Sequence, residues 1–299
     1  MDRICLKANA KINLGLDVIR KRPDGYHEVR MIMQMLSLHD RVTIEKTDEP
    51  GIRLTTNLSF LPNDERNIAF KAAKQMQETF ALPGGVSIQI EKRIPVAAGM
   101  AGGSTNCAAV LLGMNSLYDL GLDIEALKAI GVKMGADVPY CIMGGTALSE
   151  GIGEILTQAP PMPMCHILVA KPPFSVSTKE VYEGLALDQL KEHPDIDGIL
   201  MALEADDLCG VTKRLSNVLE TVTMARHPQI GQIKKLMLEN GAMGALMSGS
   251  GPTVFGIFAS RPSAEKAAQV IRDSSLAKQI HVTRPWNESN FGRNDNERL

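Results

Sequence analysis

The chain has 299 residues, enough for roughly two domains at about 150 residues each. Its 44% hydrophobic and 22% charged content is that of an ordinary folded protein and excludes a disordered, collagen-like or coiled-coil chain. Lysine and arginine total 32 against 34 aspartate and glutamate, so a formal net charge of −2 gives no bulk field for nucleic acid or anionic lipid, and neither is expected as a partner.

At the N-terminus, MDRICLKANAKINLGLDVIRKR is broken by charges before any signal-length apolar run, and nowhere do about 18 apolar residues follow one another. No secretion and no membrane span are expected. An alternating strand here would put Lys11 and Asn13 on one face and Ala10, Ile12, Leu14 and Leu16 on the other. Val42 and Ile44, and later Val86, Ile88 and Ile90, alternate with polar residues as strands do. Asn67 to Thr79, Asn106 to Leu120 and Asp123 to Met134 have helical spacing, the last behind an Asp placed to cap it. QAPPMP, residues 158–163, sustains neither helix nor central strand and marks a domain boundary. Beyond it come a strand at Ile167 to Ala170 and helices near Thr178 to Leu185, Val211 to Leu219 and Gln229 to Asn240. Ala245 to Phe258 is interrupted by SGSGP, and Ala264 to Ile271 is again helical. NESNFGRNDNERL, from Asn287, is a polar tail expected to fray. The whole is an α+β pattern. Cys5, Cys107, Cys141, Cys165 and Cys209 are scattered without CxxC spacing, as in a reducing cytoplasm rather than a disulfide framework or zinc cluster. His39, His166, His193, His227 and His281 also lack ligand spacing.

The segment IPVAAGMAGGSTNCAAVL, Ile94 to Leu111, joins a strand to an Ala-rich helix. Gly99, Gly102 and Gly103 have no side chains to hold a ligand off the backbone, and Ser104 and Thr105 add hydroxyls at the helix start, so successive N–H groups can converge on phosphate oxygens. A flexible turn before a capped helix has the same composition; the position between strand and helix favours the cradle. A P-loop is excluded because Ser104, not Lys, follows Gly103. A dinucleotide fingerprint is excluded because Val254 and Leu156 stand where its last glycine would be, after Gly249/Gly251 and Gly151/Gly153.

PVAAGMAGGSTNCAA (Pro95 to Ala109) resembles the second motif of the GHMP kinases. KANAKINLGL (Lys7 to Leu16) and GALMSGSGPTVFGIF (Gly244 to Phe258) resemble the first and third, in the right order over about 250 residues. Ala101 departs from the family loop, which usually has glycine there. The resemblance implies a two-lobed GHMP kinase fold: an N-terminal ATP-binding lobe, residues 1–156, and a C-terminal ferredoxin-like lobe, residues 157–286, followed by the tail 287–299. It implies ATP with Mg²⁺ as cofactors, the ATP held by Pro95, Val96, Ala97, Ala98, Gly99, Met100, Ala101, Gly102, Gly103, Ser104 and Thr105, with Asn67 and Lys92 flanking the adenine. Lys11 and Asp137 become the catalytic pair: the cation stabilises charge developing on the phosphoryl group, and the carboxylate takes the hydroxyl proton. Asp before Val-Pro also suits a turn or cap. RPDGYHEV (Arg22 to Val29), GGSTN (Gly102 to Asn106) and MGADVPY (Met134 to Tyr140) resemble the branch that phosphorylates the 2-hydroxyl of a cytidine diphosphate-linked methylerythritol, in the non-mevalonate route to isoprenoid precursors. Tyr26, His27, Thr178 and Tyr182 would hold that substrate, with the rings stacking on its base, and Asn13 would bind it or hold Lys11. Homoserine or mevalonate as the alcohol, or a nucleotide-binding module without catalysis, are the alternatives.

Overall fold

The computed structural model describes residues 2–290. Two long antiparallel strands, β1 (Arg3–Lys21) and β2 (His27–Thr47), are joined by a turn in which Gly25 has φ 88° and Asp24 accepts the Tyr26 N–H at 3.1 Å. Register shifts between Asn9 and Lys11 and between Asn13 and Gly15 turn β1 over twice. Leu6, Ala8, Leu16 and Val18 therefore pack in one core while Ala10, Ile12 and Leu14 pack in another. The face carrying Lys11 and Asn13 is buried as well, not solvated as alternation alone would allow.

β4 (Gly85–Glu91) lies antiparallel to β2 and parallel to β3 (Gly51–Thr56), and β5 (Thr146–Glu150) pairs with β2 and with β6 (Ile155–Gln158). β8 (Ser216–Asn217) comes from the second half of the chain and adds beside Gly15 and Leu16, making seven strands in the order β3-β4-β2-β1-β8 with β5 and β6 alongside. The helix α1 (Ile68–Phe80) is capped by Asn67, and α3 (Ile124–Gly131) by Asp123. Between them α2 (Gly102–Leu117) is apolar nearly all round, as a helix enclosed by others must be, and α4 (Val138–Met143) packs against it.

β7 (His166–Lys171), β9 (Gly244–Met247), β10 (Val254–Phe258) and β11 (Gln279–Thr283) form a second, antiparallel sheet in the order β11-β7-β10-β9. Helices α5 (Thr178–Glu183) through α9 (Gln229–Glu239) separate its first two strands, and α10 (Arg261–Ser274) its last two. This is the βαββαβ arrangement of a ferredoxin-like lobe. No helix among the described residues is long and apolar enough to cross a membrane.

Two expectations are corrected. The helix over Val211 to Leu219 is interrupted: α7 (Leu208–Lys213) ends early, β8 pairs with β1, and α8 (Glu220–Arg226) begins afterwards. Tertiary pairing overrides helical spacing there. The polar tail does not fray at its start, because Asn287 exchanges hydrogen bonds with Met162 and accepts one from Gln34, Ser289 donates to the Met143 carbonyl, and Asn290 is buried. Its later residues lie outside the described ones.

Candidate active site

The glycine segment folds as a nest. Ala97, Gly99 and Ala101 have φ 50°, 70° and 54°, left-handed at every second residue, an alternation that turns consecutive N–H groups toward one concavity. It leads into the first turn of α2, whose unpaired N–H groups and positive dipole end point the same way. Neighbouring elements hold the loop: the Lys11 N–H donates to the Met100 carbonyl at 3.2 Å, and the Ser248 hydroxyl donates to the Gly99 carbonyl at 2.9 Å. Ala101 occupies a conformation that glycine takes without cost, so the departure from the family loop is accommodated with some strain instead of a changed backbone.

The loop lines a cleft of about 1020 Å³ together with Lys11, Asp137, Tyr26, His27 and Tyr182. Lys11 is buried, donates to Asn13 Oδ1 at 2.8 Å, and stands 3.7 Å from Asp137 Oδ2. Asp137 sits at the N-cap position of α4 but its side chain caps nothing, so the carboxylate, 32% exposed, is available to the cleft. The residue does stand in a turn at the helix start, but its side chain makes no capping bond. Beneath it the thiols are inert: burial pushes Cys107 up to about 12 and, with the Asp137 charge, raises Cys141 well above the usual thiol range.

On the wall of the same cleft the His27 and Tyr182 rings lie 5.2 Å apart, tilted by 39°, and Tyr26, 60% exposed, lines it as well. Burial, and then the Asp137 carboxylate, raise the Tyr182 phenol well above its ordinary value. The Thr178 and Ser250 hydroxyls meet at 2.8 Å, joining the start of α5 to the SGSG turn.

The model of the GHMP kinases N terminal domain matches residues 67–145, and that of the GHMP kinases C terminal domain matches residues 191–275. The 4-diphosphocytidyl-2-C-methyl-D-erythritol kinase of Lachnoclostridium phytofermentans is 54% identical over 290 residues, which span 97% of this chain and 100% of that protein. The chain belongs to the GHMP kinases. A solved 4-(cytidine 5'-diphospho)-2C-methyl-D-erythritol kinase superposes with TM-score 0.83 at 32% identity, over 95% of this chain and 100% of that one. A homoserine kinase from Cytophaga hutchinsonii shares the fold at TM-score 0.76 and 21% identity, over 97% and 96% of the two chains.

Within this GHMP kinase, eighteen of the twenty residues singled out in the sequence line the cleft: Lys11, Tyr26, His27, Asn67, Lys92, the run Pro95 to Ser104, Asp137, Thr178 and Tyr182. Thr105 does not: it is buried. One helical step turns Thr105 inward while Ser104 faces the cleft. Asn13 is also absent from the wall. Its side-chain oxygen accepts from the Lys11 ammonium at 2.8 Å. Lys92 reaches the wall, but its ammonium protons are directed inward to Asp40, Asn106 Oδ1 and the Gly102 carbonyl. Sequence reasoning missed Asn217, whose amide donates to the Met247 and Gly249 carbonyls and so ties the SGSG turn to β8.

Proposed function

We propose that this GHMP kinase transfers the γ-phosphoryl group of ATP to the tertiary 2-hydroxyl of 4-diphosphocytidyl-2-C-methyl-D-erythritol. The observation that carries the reading is that one cleft joins an anion nest, a lysine–aspartate pair and a cluster of rings. Phosphoryl transfer depends mainly on positioning and on charge stabilisation, and each need is met by a different wall. The nest, with Ser104 and the end of α2, holds the phosphates, and Asn67 stands beside the adenine end. Lys11, fixed by Asn13, stabilises charge on the moving phosphoryl group. The substrate oxygen forms its bond to the γ-phosphorus as the bond to the ADP oxygen breaks, and Asp137 accepts the hydroxyl proton. Tyr26, His27 and Tyr182, with Thr178, receive the cytosine, a role for which aromatic faces contribute about 1–3 kcal/mol per base.

Mg²⁺ accompanies ATP in this reading. Among the described residues no group of three His, Cys, Asp or Glu side chains could hold a metal alone, which fits a cation bound mostly by phosphate oxygens and water. The Ser104 hydroxyl and the uncapped Asp137 carboxylate are two of the cleft oxygens that would complete its shell. When bound, the ion neutralises charge on the β and γ oxygens. The lobes are read as residues 1–156 and 157–286, a division supported by the two family matches falling on either side of it.

ADP release with Mg-ATP tests the assignment, run on the cytidylylated alcohol, homoserine, mevalonate and the uncytidylylated methylerythritol phosphate. Turnover on the first alone is expected. Turnover on another alcohol would keep the chemistry and overturn the substrate, and ATP binding without turnover would overturn both.

A further inference from the structure

We infer that Asp40 is a positioning residue for the phosphate loop, one buried carboxylate that anchors both ends of residues 93–102. The inference rests on reading that segment as the seat of the ATP phosphates.

Asp40 lies on β2 two and four residues before the core residues Val42 and Ile44, on what would otherwise be an apolar face, and it is fully buried. An ionised carboxylate in such a place is costly unless every oxygen is satisfied. Here all are. Oδ1 accepts the backbone N–H groups of Arg93 at 2.6 Å and Ile94 at 2.8 Å, the residues where the loop leaves β4. Oδ2 accepts the Asn106 amide at 2.9 Å and the Lys92 ammonium, both tied to the other end of the loop. Lys92 also donates to the Gly102 carbonyl at 3.3 Å and to Asn106 Oδ1 at 2.9 Å.

An ammonium has three protons, and the three acceptors of Lys92 use them all. Lys92 thus supports the cleft wall and keeps no free donor for a ligand, which revises its place beside the adenine. Asp40 itself does not line the cleft. It acts through the loop: two backbone donors fix the start and a charged relay fixes the first turn of α2, leaving the nest between two anchored ends. Donors held in place before the ligand arrives are what makes such a nest effective against a phosphate whose charge is shifting.

The test is Asp40→Asn in the full chain, which preserves size, removes the charge and places an amide where only acceptors fit. The KM for ATP should rise about tenfold or more and kcat should fall, while the KM for the alcohol stays within about twofold. ADP affinity by calorimetry should fall in parallel, and amide hydrogen exchange over residues 93–102 should quicken. Because Asp40→Asn leaves Lys92 buried without a counter-charge, Asp40→Asn/Lys92→Met is made beside it, and it carries the same test should the single variant not fold. Removing both charges should restore thermal stability without restoring ATP affinity. Wild-type ADP affinity and loop exchange in a folded variant would overturn the proposal. So would losses that affect both substrates equally and vanish with stability in the double variant. If ADP fails to protect residues 97–104 in the wild-type chain, the phosphate-loop reading itself falls; if it protects them and Asp40→Asn is indifferent, only the role of Asp40 falls.

Discussion

Replacing Gly99 by alanine probes the junction of the glycine loop with the SGSG turn. At φ 70° an L-residue costs about 1–2 kcal/mol, although Ala97 and Ala101 nearby, at φ 50° and 54°, show that such strain alone is tolerated. The second cost is steric. A methyl on Gly99 would overlap the Ser248 carbonyl oxygen and come within 3.1 Å of its carbon and 3.3 Å of the Gly251 nitrogen. Backbone atoms cannot rotate away as a side chain can, so the turn must move, at about 1–3 kcal/mol. The sum, about 2–5 kcal/mol, is a large share of the roughly 5–15 kcal/mol that holds a typical protein folded. At about 2.1 cal/mol/K per residue the unfolding entropy of this 299-residue chain is about 0.6 kcal/mol/K, so nucleotide-free thermal unfolding should shift down by about 3–8 °C. Gly103→Ala is the control: Gly103 lies in α2, has no positive φ, and its methyl would meet Ile68 Cδ1 at an ordinary 3.6 Å. That variant should be neutral or stabilised by up to about 1 kcal/mol. Equal effects of the two alanines, or a Gly99→Ala loss under about 1 kcal/mol, would refute the reasoning.

Asp137→Asn should lower kcat by about 10² to 10⁴ with little change in the KM for ATP; steady-state kinetics check it, and an unchanged kcat would remove Asp137 as the base. Tyr182→Ala should raise the KM for the cytidylylated substrate by about 5- to 150-fold, the equivalent of 1–3 kcal/mol of stacking, while Tyr182→Phe keeps most of the affinity; identical losses in both variants would point to the hydroxyl instead. Burial, and then the Lys21 charge, hold the His27 imidazole below its ordinary value, so on acidification the unfolded chain takes that proton first. The stability His27 contributes is intact above about pH 6.5 and is lost as pH falls from there through the folded value. Its NMR titration midpoint should lie below about 6.5, and one at or above it would contradict the burial argument.

The parts of the fold legible in the sequence were those whose signal is local. Asn67 and Asp123 cap helices at the places their spacing indicates, and β7 follows the proline-rich break. α2 begins earlier than its apolar pattern, because the left-handed turn at Ala101 lets the glycines themselves form the first helical residues. Val211 to Leu219 misled because Ser216 and Asn217 are claimed by β1, a partner about 200 residues away that no local period reports. At the site, Lys11, Asp137 and the loop were legible through motifs, and their common cleft was not. Thr105 could not be told from Ser104 until the helix phase was known. Asp40 left one signal, a charge at an apolar position of an alternating strand, and that pattern does not say which donors meet it.

The most direct test of the central claim is phosphorus NMR of the product formed from Mg-ATP and 4-diphosphocytidyl-2-C-methyl-D-erythritol. The Lys11–Asp137 pair acting in the cleft predicts one new monoester on the tertiary 2-hydroxyl, the diphosphate left intact and one ADP released for each. A phosphate on another oxygen, a cleaved diphosphate, or ADP without a new ester would contradict it.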